Sequence, residues 1–288
     1  QGLPTEWGKL GDKAWDLAMV RERADVEKDA ISKSETVHFG SLQALCHEKH
    51  AELNLDDPEY KGRIVFRGDQ VKDEEGYHAV FSEQGTSASH AASTKFLDAI
   101  ARFPGCAGED KDARSAYTQI KLSEAPRLLG LGVIPSTWIS LPKSRHPASW
   151  AGMKDPVVPL LCNLYGHPLA GLLWEKSYQE KLFKVGFEKI NGWEGLFVHR
   201  QLQLFLGVYV DDFHMAGKAA NIAPMWKKLG ELIDLDPAVP FSGNTYLGLL
   251  QEDTTISASV VQEKSDAFKV LMDSKVVGSP ATPSSSSS

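Results

Sequence analysis

The stretch LFLGVYVDDFHMAG (residues 204–217) constrains the fold of this chain more than any other. Seven consecutive residues, from Leu204 to Val210, are apolar or glycine, and the carboxylates Asp211 and Asp212 follow directly. A run that is apolar on both faces predicts a strand buried on both sides of its sheet. LFVHR (196–200) and FHMAG (213–217) also have strand character, so the pattern predicts three paired strands with a tight turn at the two aspartates.

The paired aspartates admit two interpretations. Aspartate is common in turns because its side chain bonds to nearby backbone amides. Two adjacent carboxylates, however, repel each other unless a cation lies beside them. Asp112 stands at another predicted element boundary. Carboxylates from separate strands suit Mg²⁺, and two such ions can promote phosphoryl transfer. The sequence therefore predicts a magnesium site of Asp112, Asp211 and Asp212. His214 is interpreted as structural, since such a site needs no imidazole.

Composition and charge narrow the possible functions. The chain has 288 residues, of which 42% are hydrophobic, enough for a substantial core. No apolar run approaches the roughly 20 residues that span a bilayer, and no signal peptide is recognisable, so an intracellular location without a membrane partner is expected. Three cysteines argue against a disulfide framework. A net charge of −7 argues by itself against nucleic-acid binding, but KGRIVFR (61–67) leaves room for a local basic face.

Periodicity and turn signals predict the remaining elements. Helices are predicted over residues 12–33, 86–105, 166–185 and 222–234. RIVFR (63–67) and YHAVF (77–81) predict a hairpin, and TYLGLL (245–250) predicts a last strand. The irregular segment 123–159 predicts a loop with one or two strands, and the serine-rich end predicts disorder.

Several of these segments resemble, in the same order, the blocks of copia-type retrotransposon reverse transcriptases. YVDD (209–212) after an apolar run is similar to the metal-binding hairpin of that family. The resemblance covers roughly residues 60–250. The other similar blocks are YKGRIVFRGD (60–69), DARSAYTQIKL (112–122), LYGHPLAGLLWEKS (164–177), GFEKINGWEGLFVHR (186–200) and TYLGLL (245–250).

The resemblance implies an α+β, right-hand polymerase fold. Fingers precede a palm whose antiparallel sheet is backed by helices, and the thumb is short or absent. The expected division is an N-terminal helical extension (1–59), fingers and palm (60–250), a partial helical connection (251–278) and a disordered tail (279–288).

The resemblance also implies roles for individual residues. Asp112 and Asp211 are expected to be direct ligands of two Mg²⁺ ions, replaceable by Mn²⁺, with Asp212 assisting at the turn. Tyr117 is expected to pack under the incoming sugar and exclude a 2′-hydroxyl. The nucleotide-binding set is Lys61, Arg63, Tyr117, Tyr165 and Gly166, and the primer-binding pair is Leu247 and Gly248. Without the family resemblance, Lys61 and Arg63 are interpreted as a solvated strand face and Tyr117 as a core aromatic residue. Tyr165 and Gly166 are then a helix start, and Leu247 and Gly248 are part of a strand.

The activity implied is RNA-directed DNA synthesis onto a primer 3′-OH. The implied partners are an RNA or DNA template with its primer, deoxynucleoside triphosphates and other sections of a polyprotein, in a cytoplasmic particle or the nucleus. The chain departs from the family at residues 167–170, where HPLA stands in place of Lys-Gln-Ala-Pro. Two alternatives stay open. One is an inactive relic or recruited domain that binds nucleic acid or protein without catalysis, and the other is an unrelated Mg²⁺-dependent nuclease or phosphotransferase.

Overall fold

The computed structural model describes residues 2–11, 13–48, 60–79, 81 and 91–273. The chain divides into two compact units, Gln1–Phe241 and Ser242–Ser288. The helices are α1 (Gly2–Gly11), α2 (Arg23–Lys33), α3 (Ala91–Ala101), α4 (Ala125–Leu129), α5 (Ala170–Lys184), α6 (Ala219–Gly230) and α7 (Ala258–Asp273). The strands are β1 (Arg21–Glu22), β2 (Val37–Glu48), β3 (Tyr60–Phe66), β4 (Cys106–Asp112), β5 (Ser136–Ser140), β6 (Pro156–Pro159), β7 (Glu188–Lys189), β8 (Leu196–His199), β9 (Leu204–Tyr209), β10 (Asp212–Lys218), β11 (Val239–Pro240), β12 (Thr245–Tyr246) and β13 (Leu249–Leu250). The predicted α+β class is confirmed.

The first sheet has five strands in the order β1-β6-β5-β2-β3. Only the pair β2–β5 is parallel. Strand β3 alternates as a half-buried strand must, because successive side chains point to opposite faces. Ile64 and Phe66 join a core with α1, while Lys61 and Arg63 are exposed. The basic residues of the 61–67 segment therefore lie on the open face of this sheet.

The second sheet has six antiparallel strands in the order β11-β4-β10-β9-β8-β7. The predicted pairing of 196–200 with 204–210, and the return strand after the two aspartates, are confirmed. Helices α5 and α6 contribute to the core on one face with Leu206 and Val208, while α3 covers the other face beside Phe205. A Cβ on Gly207 would lie 2.9 Å from Leu97 Cδ1, which shows how closely α3 approaches. Strand β9 is apolar throughout because helices cover the sheet on both sides.

Residues 1–59 are not simply a helical extension. The predicted helix 12–33 begins only at Arg23, because Asp16 caps a 3₁₀ turn at Leu17–Met19 and Arg21–Glu22 pair with β6. After α2, the long strand β2 pairs with β5 on one side and β3 on the other. The helical prediction is therefore wrong for this segment, since a strand with partners on both edges lies in the middle of a sheet. The rest of the range, 49–59, lies outside the described residues.

The predicted hairpin of 63–67 with 77–81 is also wrong. Strand β3 pairs with β2, which offers a longer edge. The following segment instead forms its own tight turn, with an isolated bridge between Lys72 and His78. Local turn signals found the turn but assigned it the wrong partner strand.

The helices predicted over 166–185 and 222–234 are confirmed with shifted bounds, as α5 and α6. The helix predicted over 86–105 contains α3, and its first residues lie outside the described ones. The predicted loop region 123–159 holds α4, β5 and β6. The serine-rich end lies outside the described residues. Over the part of the chain that is described, no helix is long and apolar enough to cross a membrane.

The second unit contains a small hairpin and α7. TYLGLL, predicted as one strand, forms the two-residue strands β12 and β13 with Thr245 opposite Leu250. Leu247 and Gly248 form the turn, with φ angles of 47° and 80°. Positive φ at both central residues is the type I′ geometry that suits tight hairpins. The strand prediction is wrong because the Leu-Gly pair reverses the chain.

Candidate active site

The structure brings the three predicted aspartates together at one end of the second sheet. Asp112 is the last residue of β4, and Asp212, the first of β10, is its direct cross-strand partner. Asp211 lies in the turn between β9 and β10, and its carbonyl accepts a hydrogen bond from the Ala113 amide at 2.7 Å. Because all three stand on or next to strands of one antiparallel sheet, the backbone ladder sets their spacing.

The turn that carries Asp211 is strained. Tyr209 pairs with Asp212, so Val210 and Asp211 are its two central residues. Val210 has a φ of 55°, which is rare for a β-branched residue. The indole nitrogen of Trp174 in α5 donates a hydrogen bond to the Val210 carbonyl at 2.5 Å. Strained backbone persists where the surrounding structure over-determines it. The fully buried Trp174 supplies that constraint here.

Asp112 and Asp212 both have a raised pKa. Burial, together with the charges of Asp211 and Asp112, raises the pKa of Asp212 to about 7. Burial first, then the charges of Asp211, Asp236 and Asp110, raise the pKa of Asp112, while a hydrogen bond from Asp212 opposes that rise. A proton shared between Asp112 and Asp212 relieves the repulsion between their negative charges. Close carboxylates without a neighbouring cation usually share a proton in this way.

The donor chemistry fits a hard divalent cation, but the side chains are not yet arranged around one. Within the described residues, no group of three or more His, Cys, Asp or Glu is placed to hold an ion as it stands. Asp211 Oδ2 lies 3.4 Å from the Tyr165 hydroxyl, and Asp212 bonds to Asp112. A cation held by Asp112 and Asp212 would displace the proton that these two carboxylates share.

Three of the predicted nucleotide-binding side chains form one cluster beside Asp211. The rings of Tyr165 and Tyr117 meet edge to face, with centroids 4.4 Å apart. The Arg63 guanidinium lies over the Tyr165 ring at 5.4 Å, within cation–π range. The Tyr165 hydroxyl donates to Asp211 Oδ2 at 3.4 Å. Burial, and after it the charge of Asp211, raises the pKa of both tyrosines, so both hydroxyls keep their protons. The cluster joins the first sheet to the aspartates.

Gly166 is a backbone requirement of this cluster. Its φ is +83°, and a Cβ there would lie 2.1 Å from the Phe66 carbonyl oxygen. The Phe66 amide in turn donates to the Tyr165 carbonyl at 2.7 Å. Only glycine allows β3 and the segment before α5 to approach this closely. Gly166 therefore acts through the backbone that places Tyr165.

The remaining predicted residues are Lys61, Leu247 and Gly248. Lys61 is exposed on β3, two residues before Arg63 and on the same face. Leu247 and Gly248 form the hairpin turn of the second unit. Their primer-binding role stays a prediction.

Sequence reasoning missed two residues that support the site. No local signal shows that the Trp174 indole reaches the turn at Val210. Asp236, in the loop after α6, donates its amide hydrogen to the Asp112 carbonyl at 2.8 Å. Its carboxylate accepts a hydrogen bond from Arg114 at 2.7 Å. The contacts of Trp174 and of Asp236 join residues that are far apart in the chain, so only the folded structure shows them.

His167, the first residue of the departure from the family, points away from the aspartates. It is buried, lies 3.3 Å from the Thr137 hydroxyl and lines a cavity of about 590 Å³ to which none of the three aspartates contributes. Burial, and after it the charge of His38, lowers the pKa of His167 to about 4.

This lowered pKa predicts a loss of stability in mild acid. Between about pH 6.5 and 4 the unfolded chain takes up a proton that the folded His167 does not, so the free energy of unfolding falls as the pH falls through that window. Relative to pH 7, we expect His167 alone to cost about 2 kcal/mol at pH 5. Urea denaturation of the parent and of His167→Gln at both pH values measures the difference. Equal pH dependence in the two proteins contradicts the expectation.

The second sheet, covered by helices on both faces, carries the three aspartates at a strained hairpin, with an arginine–tyrosine cluster beside them. Residues 42–263, well over half of the chain, match the family model described as reverse transcriptase (RNA-dependent DNA polymerase). The chain belongs to this family.

Solved structures and curated proteins add little to this assignment. No curated protein matches the chain. Telomerase from Candida albicans, in complex with a TWJ fragment of telomeric RNA, is similar at 8% identity and a TM-score of 0.45, over 84% of this chain and 46% of that one. Apo telomerase from Candida tropicalis, truncated from its C-terminal domain, is similar at 10% identity and a TM-score of 0.45, over 81% of this chain and 60% of that one. This chain therefore spans less than two thirds of either telomerase chain.

Proposed function

We propose that this chain is the polymerase domain of a copia-type retrotransposon reverse transcriptase. It extends a primer 3′-OH with deoxynucleotides, copying an RNA or DNA template. The proposed setting is a cytoplasmic particle or the nucleus, with other polyprotein sections as partners. Family membership supports the reaction class, and the order of blocks from YKGRIVFRGD to TYLGLL supports the copia type.

One observation carries the proposal: the three aspartates lie next to the cluster formed by Tyr165, Tyr117 and Arg63. Asp112, Asp211 and Asp212 meet at the strand ends, and Tyr165 links Asp211 to Tyr117 and Arg63. Mg²⁺, or Mn²⁺ in its place, supplies charge neutralisation at the triphosphate and lowers the pKa of an attacking hydroxyl. Asp112, Asp211 and Asp212 would hold the cations, and Asp112 and Asp212 would bind them in the deprotonated form.

The remaining side chains orient the nucleotide. Arg63 is a fork of charged donors suited to a phosphate oxygen, and Lys61 on the same strand face adds a second cation. Tyr117 presents an aromatic ring to the sugar, which excludes a 2′-hydroxyl by lack of space. Gly166 lets the backbone behind Tyr165 come close to β3. Leu247 and Gly248, at a tight hairpin turn, would contact the primer.

Primer extension tests the proposal. The full chain is incubated with an oligo(dT) primer on poly(rA), with deoxythymidine triphosphate and either Mg²⁺ or Mn²⁺. We expect metal-dependent extension that EDTA stops, and a preference of at least about 100-fold for the deoxynucleotide over the ribonucleotide. A 100-fold preference corresponds to about 2.7 kcal/mol. Hydrolysis of the template or primer without extension would point instead to a nuclease.

The alternative of a non-catalytic relic has an observation in its favour. No described group of three or more carboxylates or imidazoles is placed to hold an ion as it stands. A folded parent chain that binds primer–template but incorporates no nucleotide with either metal supports this alternative. Metal-dependent extension excludes it.

A further inference from the structure

The feature that the proposed reaction does not use is a buried His–Asp pair behind the aspartates. His214 in β10 is fully buried. Its Nδ1 bonds to Asp110 Oδ1 in β4 at 2.5 Å, and its Nε2 lies 3.4 Å from Asp98 Oδ1 in α3. The ring also stacks on Phe241, with centroids 3.8 Å apart and planes 8° from parallel. One side chain thus contacts β4, α3 and the segment after β11.

The pair lies in register with the proposed metal ligands. Asp212 is opposite Asp112, and two residues further along β10, His214 is opposite Asp110. Side chains two residues apart on a strand share a face, so the His–Asp pair lies directly behind the carboxylate pair. The next pair on that face, Ala216 and Gly108, is small and apolar. The polar contact is therefore confined to the position adjoining the aspartates.

Stability alone does not explain such a pair. Burying a charge-bearing pair has a desolvation cost that its attraction often fails to offset, and apolar residues of similar volume are commonly as stable. What a short, directional hydrogen bond adds is a defined geometry between the two strands. It also engages the Asp110 carboxylate, which shares a strand face with Asp112.

We propose that His214 is a positioning residue: its bonds to Asp110 and Asp98 hold β4, β10 and α3 together, and so fix the strand ends from which Asp112 and Asp212 would bind a divalent cation. This proposal rests on the proposed function, because it takes the aspartates to be metal ligands.

Metal binding and catalysis are measured separately on the full chain. Mn²⁺ affinity is read from the electron paramagnetic resonance signal of free Mn²⁺, and the site is defined as the binding that Asp112→Asn removes. Primer extension gives kcat, the nucleotide KM and the half-saturating Mg²⁺ concentration. The variants are His214→Leu, which removes both bonds but keeps an apolar side chain, and His214→Asn, which keeps one donor. The control is Met215→Ala, which opens a cavity on the opposite face of the same strand.

We expect His214→Leu to weaken Mn²⁺ binding by at least about tenfold, as loss of outer-shell partners of metal ligands does. Half-saturating Mg²⁺ should rise in parallel, with a nucleotide KM that changes less than kcat. His214→Asn should recover part of the affinity. Met215→Ala should lower the melting temperature yet keep the Mn²⁺ affinity of the parent. A loss of core packing by itself is not expected to change Mn²⁺ affinity.

Each outcome decides the matter. Parent-like Mn²⁺ affinity in folded His214→Leu overturns the positioning role. If that variant does not fold, Asp98→Asn is read in its place, because Asp98 is partly exposed and 3.4 Å from the ring. Parent-like affinity there overturns the proposal, and a loss of twofold or more supports it. A parent that binds Mn²⁺ without extending primers refutes the polymerase activity alone. A parent with no Asp112-dependent binding refutes both proposals.

Discussion

Primer extension should fall on the order of 1000-fold or more when Asp112 is replaced by Asn. Metal-held charge stabilisation is worth several kcal/mol in the transition state, and each 1.4 kcal/mol is tenfold in rate. Asparagine keeps the shape of the side chain and removes the charge that, with Asp211 and Asp212, forms the candidate metal site. Steady-state extension rates at saturating Mg²⁺ measure the loss.

The same substitution should not lower stability. Without metal, burial and neighbouring carboxylates raise the pKa of Asp112 and Asp212, so neutralising one of them relieves repulsion. We expect Asp112→Asn to melt at or above the parent temperature in EDTA. The matched control is Asp25→Asn, the same chemical change at an exposed site in α2. An Asp112→Asn protein within tenfold of the parent rate would show that Asp112 is no metal ligand.

Replacing Gly166 by alanine should lower the free energy of unfolding by about 3 kcal/mol or more. A left-handed backbone costs a non-glycine residue roughly 1–2 kcal/mol, and overpacking adds about 1–3 kcal/mol. Both apply here, because φ is +83° and the new Cβ meets the Phe66 carbonyl oxygen at 2.1 Å. Urea denaturation monitored by circular dichroism gives the change.

Two other glycines separate the contributions. Gly130 has a φ of +67° but open space around it, so Gly130→Ala should cost only the backbone part, about 1 kcal/mol. Gly8 lies in α1 with open space and is not among the glycines with positive φ, so Gly8→Ala should be neutral or stabilising. If Gly166→Ala and Gly130→Ala lower the free energy of unfolding equally, the close approach of β3 to Gly166 contributes nothing to the cost of the substitution.

The site depends on a turn that the local sequence does not favour. Asn-Gly or Asp-Gly is the usual choice for a two-residue hairpin, but here Val210 takes the positive φ. The Trp174 indole bond, the Ala113 amide and the ladder between β9 and β10 hold the turn. Strain at a functional position is common where tertiary contacts over-determine the backbone. The aspartates are thereby presented on a rigid support.

Much of the site could be predicted from the sequence because its signals are local. An apolar run that ends in two carboxylates predicts a buried strand with a charged turn, and the ordered blocks place Asp112, Tyr117 and Tyr165 in the same site. The structure brings these residues together, with Arg63 added through the first sheet. Strands β8, β9 and β10 were predictable for the same reason, since neighbouring strands joined by short turns pair with each other.

What local patterns could not determine are the partners of segments far apart in the chain. Strand β2 was predicted as part of a helical region, because nothing nearby shows that it pairs with both β3 and β5. His214 was interpreted as structural, and nothing near it in the sequence shows its partners Asp110 and Asp98, which lie more than 100 residues earlier in the chain. The sequence by itself determined the chemistry of this protein, three carboxylates with aromatic and basic neighbours, because that chemistry is carried by residue type and order. Only the tertiary structure decided which strands hold those carboxylates and what lies behind them, because pairing and burial depend on contacts between residues distant in sequence.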